Sequence, residues 1–117
     1  MYNGKVQLTR IWSIKPEAVE MMEKNVEDHT EWMQKTHFRE GEKALLMLNW
    51  CKQSEVVDGE ETGNTLFVLT EIYESFAGID DHMEQASRDN FLTYPEAFEH
   101  VAHQIFCDRL NVISSLW

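Results

Sequence analysis

The sequence predicts an α+β fold in which one four-stranded antiparallel sheet carries helices on one face. Three observations predict it. Several short stretches alternate apolar and polar residues, as half-buried strands do, and two longer stretches repeat apolar residues every three or four positions. The stretches follow one another in the order β-α-β-β-α-β, which is the split βαβ, or ferredoxin-like, plan. The 117 residues are the right length for one domain with one core, spanning 1–117.

The first strand spans Lys5 to Ile14. Val6, Leu8, Trp12 and Ile14 share one face with Arg10, and Gln7, Thr9, Ile11 and Ser13 share the other. Pro16 then stands where a first helical turn tolerates proline. The stretch from Glu17 to His37 reads as a long helix, with Val19, Met22, Val26, His29 and Met33 on its apolar stripe. Glu20, Glu23, Glu27 and Glu31 lie opposite. Glu20 with Lys24 and Glu31 with Lys35 make favourable (i, i+4) pairs, so the acidic stripe reads as a solvated face.

Ala44 to Cys51 is the second strand and Leu66 to Tyr73 the third. Asp58-Gly59 and Gly63-Asn64 mark turns in an acidic loop between them, giving an antiparallel hairpin with a long connection. A second helical region is expected from Phe76 to Ile105. Phe76, Ile79, Met83 and Ala86 mark its first half, and Tyr94, Phe98, Val101 and Ile105 its second. Pro95 divides the halves. Thr93-Tyr94-Pro95-Glu96 reads as a capping box with Thr93 as the cap. The fourth strand is expected from Phe106 to Ile113. The sheet face without helices still carries apolar residues, either Ile11, Leu45 and Met47 or their neighbours, depending on register. It is expected to be buried against a second copy of the chain.

Composition narrows the function classes. The net charge of −11 disfavours nucleic acid and anionic membranes as partners. No apolar run is long enough for a membrane span or a signal segment, so a cytoplasmic protein is expected. Cys51 and Cys107 form neither a redox motif nor a ligand-spaced pair, and are expected as buried free thiols. There is no Gly-rich phosphate loop and no Ser/His/Asp arrangement.

The end of the third strand carries the most suggestive chemistry. Glu71 and Tyr73 close the strand, an acidic turn and helix follow, and His82 comes eleven positions after Glu71. With the strand order and the length, this resembles the antibiotic-biosynthesis-monooxygenase-like domains of the dimeric α/β-barrel superfamily. The passage from Glu84 to Tyr94 is longer than is usual there. The resemblance implies a homodimer and a cofactor-independent monooxygenase acting on a small aromatic or polyketide-like molecule. It also admits a proton-transfer isomerase, or a non-catalytic small-molecule-binding or stress-related dimer. No cofactor and no metal are implied.

On that reading the catalytic candidates are His82, Glu71 and Tyr73. His82 would be a general base, with Glu71 orienting its ring and fixing its tautomer. The bland alternative is a Glu–His hydrogen bond that only ties helix to strand. The substrate-binding candidates are Trp12, His29, Asn49, Trp50 and Arg10. His29 lies in the apolar stripe and is either a pocket residue or a core histidine. Trp12 and Trp50 would line an aromatic cavity or simply pack. Asn49 and Tyr73 would hydrogen-bond a ligand oxygen. Arg10 or Arg109 would bind an anionic group or form a salt bridge. His29, His82, His100 and His103 are placed on helices. They show no strong metal-ligand spacing, only the loose His100-x-x-His103 pair.

Overall fold

The computed structural model describes residues 1–89 and 94–117. Its elements are β1 (Val6–Ile14), α1 (Val19–Thr36), β2 (Leu45–Val57), β3 (Glu60–Tyr73), α2 (Phe76–Asp89) and β4 (Val101–Asn111). Short 3-10 turns at Pro16–Ala18 and Pro95–His100 lead into α1 and β4. The four strands form one antiparallel sheet in the order β2-β3-β1-β4. β1 and β2 therefore run parallel on either side of β3, and β3 and β4 run parallel on either side of β1. Each parallel pair is joined through a helix. The architecture is α+β with one four-stranded antiparallel sheet and two α-helices, compatible with the ferredoxin-like plan.

Strand alternation sorts the side chains. Leu8, Trp12 and Ile14 of β1 and Phe67, Leu69 and Tyr73 of β3 point to the helical layer and are buried with Met22 of α1 and Ile79 of α2. Leu45 also packs on this side, not on the open face, because the β2–β3 register slips between Leu45 and Met47. α2 lies close against β3 at Gly78. A Cβ there would sit 2.6 Å from the Tyr73 ring and 2.9 Å from the Lys43 carbonyl oxygen.

Three expectations change. First, the β2–β3 hairpin has no long loop. Its strands run to a two-residue turn in which Asp58 and Gly59 both have positive φ, 53° and 81°. That is the primed turn that matches strand twist. Gly63-Asn64 is inside β3. The arm was hidden because its residues are polar and mostly solvated on both faces, so backbone pairing holds it without apolar alternation.

Second, the helical region beginning at Phe76 ends at Asp89, and Val101 and Ile105 belong to β4, opposite Ile14 and Ile11. A spacing of four fits a strand as well as a helix, being a multiple of two, and both residues are β-branched. β4 accordingly starts earlier than expected and ends at Asn111. The expected Thr93 cap lies outside the described residues. What holds this entry is Asn25 on α1, whose amide accepts from the Tyr94 backbone N–H at 3.0 Å and donates to the Tyr94 carbonyl at 2.7 Å.

Third, the thiols are free but not buried: Cys51 is exposed and Cys107 half-buried.

The open face carries Val68, Ile11 and Ile105 side by side on β3, β1 and β4. At one end the bent hairpin arm brings Glu55 over Ser13. Glu55 accepts from Ser13 at 3.0 Å and from Thr62 at 2.9 Å, and pairs with His103. Burial works against its charge, but the Thr62, His103 and Ser13 hydrogen bonds outweigh that and hold its carboxyl below the usual range. Among the described residues, no helix is long and apolar enough to cross a membrane.

Candidate functional site

The helices and the sheet form a half-open cavity of about 490 Å³. Its walls are mostly apolar, built from Trp12, Trp50, Phe98, Phe106, Met22 and Met83. Trp12 stacks on Trp50 with ring centroids 5.6 Å apart and meets Phe98 and Phe106 edge-on. The two tryptophans line the cavity and pack the core at the same time.

His82 stands at the cavity wall, one helical turn after Ile79, and is only 6% exposed. Its Nδ1 lies 2.9 Å from Nε2 of His37. The His37 Nδ1 lies 2.9 Å from the Thr36 hydroxyl, and that hydroxyl donates its one proton to the Trp32 carbonyl at 2.7 Å. The directions follow from this order. The Thr36 oxygen accepts from His37 Nδ1–H, so neutral His37 accepts at Nε2 from His82 Nδ1–H. His82 Nε2 is then left with a lone pair, and no described residue bonds it.

Burial, followed by the charges of His37 and His29, lowers the pKa of His82 to about 3. Burial, followed by His37 and Arg10, lowers that of His29 to about 4. Burial lowers His37 also. All three rings are neutral at ordinary pH.

Glu71 and Tyr73, two apart on β3, lie behind this histidine layer, both 0% exposed. The Tyr73 hydroxyl donates to Glu71 Oε1. The contact expected between Glu71 and His82 is too long for a hydrogen bond, with Nδ1 3.8 Å from Oε1. His37, not Glu71, orients His82. Glu71 Oε2 lies 3.7 Å from His29 Nε2 and has no hydrogen-bond partner among the described residues. Burial raises the Glu71 pKa to about 7 against the Tyr73 bond that favours its charge. Burial, and then Glu71 itself, raises that of Tyr73.

His29 is held from its other side, Nδ1 accepting from Trp50 Nε1–H at 3.1 Å. Arg10 reaches the cavity but is already engaged. Its Nε and Nη2 grip Asp108, both at 2.8 Å, and its guanidinium lies over Phe106. Arg109 pairs with Asp80 and is not at the cavity. Asn49 is exposed on the open face beside Thr70, outside this cavity. His100 and His103 are not helix-borne partners of the site. His103 is on β4 facing Glu55, and His100 ends the 3-10 turn beside Glu17.

The sequence reading missed His37, Asn25 and Asp108. His37 did leave a signal: it is the next position of the α1 stripe, four after Met33. Asn25 and Asp108 left none, because each acts through a contact distant in sequence.

Comparison with protein-family models, curated proteins and solved structures finds no match for this chain.

Proposed function

We propose that the chain is one subunit of a dimeric α/β-barrel enzyme of ferredoxin-like plan, in which His82 takes a proton from a small, flat, aromatic molecule. The observation that carries this reading is the pair of His82 nitrogens: Nδ1 is anchored by His37, and Nε2 offers a lone pair at the wall of an apolar cavity. A cavity of about 490 Å³ walled by aromatic rings suits such a substrate. An acidic O–H or C–H gives up its proton to Nε2 and becomes an anion. Arg10 lines the same cavity, and its Nη1, which no described residue hydrogen-bonds, is the group we assign to meet that anion.

The His82 imidazolium that forms keeps its bond to His37 and has the Glu71 carboxylate 3.8 Å away. An ionised Glu71 therefore raises the proton affinity of a ring that burial otherwise weakens as a base.

The reaction we favour for the anion is cofactor-independent oxygenation. The electron-rich substrate reduces dioxygen, one oxygen atom enters the substrate and the other leaves as water with the two hydrogens removed. Return of the proton to a different carbon is the second reading, an isomerisation that uses the same base. We place the enzyme in the cytoplasm as a homodimer through the open sheet face.

A cyclic aromatic 1,3-diketone or phenol tests the reading, with exchange of its acidic C–H in D2O followed by NMR and dioxygen followed by electrode. Exchange with dioxygen uptake supports oxygenation, and exchange alone supports isomerisation. Saturable binding with neither would leave a non-catalytic binding protein.

A further inference from the structure

We propose that His29, Glu71 and His82 form a binding site for a transition-metal dication of the Zn²⁺ class. Their donor atoms lie within 4.8 Å of one another, and all three side chains are buried. Two imidazoles and one carboxylate suit Zn²⁺ or Co²⁺ better than Mg²⁺ or Ca²⁺, which prefer oxygen ligands.

The independent sign of a ligand is Glu71 Oε2. It is fully buried, has no hydrogen-bond partner among the described residues, and lies on the side of the carboxylate that faces His29. A buried carboxylate oxygen without a partner is costly, and a cation removes that cost. The outer support is already in place, because Tyr73 holds Glu71 by its other oxygen. His29 Nε2 is 3.7 Å from Glu71 Oε2, His82 Nδ1 reaches the carboxylate at Oε1 at 3.8 Å, and the three donors lie within 4.8 Å of one another, so a small contraction around a cation brings them to bonding distance.

Occupancy has a consequence for the same site, and this half of the inference rests on the proton-transfer reading above. The nitrogens nearest Glu71 are His29 Nε2 and His82 Nδ1. Both carry protons in the hydrogen-bond scheme derived above. A metal on these nitrogens moves each ring's proton to the other nitrogen. His82 Nε2 then carries N–H and has no lone pair for the cavity. The bonds from Trp50 to His29 and from His82 to His37 must also open. The cation therefore binds more weakly than in a closed structural zinc site, and reversibly. It is an inhibitor of the base.

The test starts with chain stripped by a chelator and dialysed, titrated with Zn²⁺ by calorimetry and with Co²⁺ by visible absorption. We expect one cation per chain, an absorption of low-symmetry Co²⁺, and ring-proton NMR shifts at His29 and His82 but not at His100. Glu71→Gln and His29→Gln should each weaken binding at least tenfold, and His103→Gln should not change it. Absence of saturable binding by the unmodified chain overturns the site. So does binding that resists both substitutions or disappears with His103→Gln. Should both variants misfold by circular dichroism, the NMR shifts of the unmodified chain decide alone.

Equimolar Zn²⁺ should abolish substrate exchange, and chelator should restore it. Zn²⁺ binding by a chain without any exchange activity keeps the site and removes the proton-transfer reading. Exchange activity in a chain that binds no Zn²⁺ does the reverse.

Discussion

His82 combines a low pKa with a fixed tautomer, and each has a measurable result. Removing the base with His82→Ala should lower substrate exchange about 10²- to 10⁴-fold. His37→Phe keeps the ring but frees its orientation, and should lower exchange less while leaving substrate affinity near normal. In metal-free protein, with chelator present, exchange should rise with pH through the Glu71 pKa of about 7, since an ionised Glu71 favours the imidazolium. Glu71→Gln should flatten that limb. Stability moves the other way. A carboxyl raised from 4.5 to about 7 contributes stability below pH 4.5 that is lost as pH rises through 7. Glu71→Gln should thus be more stable than the parent at pH 8, by about 3 kcal/mol, and equal to it at pH 4, as read by urea unfolding. His29 and His82, lowered to about 4 and 3, contribute stability present above pH 6.5 and lost as pH falls, equally in both proteins.

At the level of elements, the site depends on two packing contacts. Trp12, 6% exposed and in contact with three other aromatic rings, is both wall and core. Trp12→Ala should cost about 3–5 kcal/mol in unfolding free energy. Gly78→Ala drives a methyl into the Tyr73 ring and the Lys43 carbonyl, and should cost about 1–3 kcal/mol while displacing α2 and with it His82. Strand and helix identities were legible wherever one face was apolar, as in β1 and the α1 stripe. They were not legible in the 52–65 arm, where the backbone ladder alone decides, or at Val101 and Ile105, whose spacing suits both periods. The site was legible in part for a related reason. His29, His82, Glu71, Trp12 and Trp50 sit on apolar faces that periodicity exposes. The His37–His82 bond joins positions 45 apart in sequence, and no pattern along the chain encodes that distance.

For the whole molecule, the two faces of the sheet carry different features. The helical face holds the cavity, while the other exposes Ile105 to 54% beside Ile11 and Val68. Ile11→Lys with Ile105→Glu should convert a dimer to monomer by light scattering, without removing the His37–His82 pair. A chain that is already monomeric at micromolar concentration would set the assembly proposal aside. The division is finest in β1, where Arg10 lines the cavity and Ile11 turns to the opposite face. On the function and assembly proposed above, neighbouring codons in that strand answer to different selective pressures, one for the ligand and the next for the partner. On that proposal, new substrate preferences drift at even positions while the odd ones preserve assembly, and losing a single residue there would exchange the two sets at once.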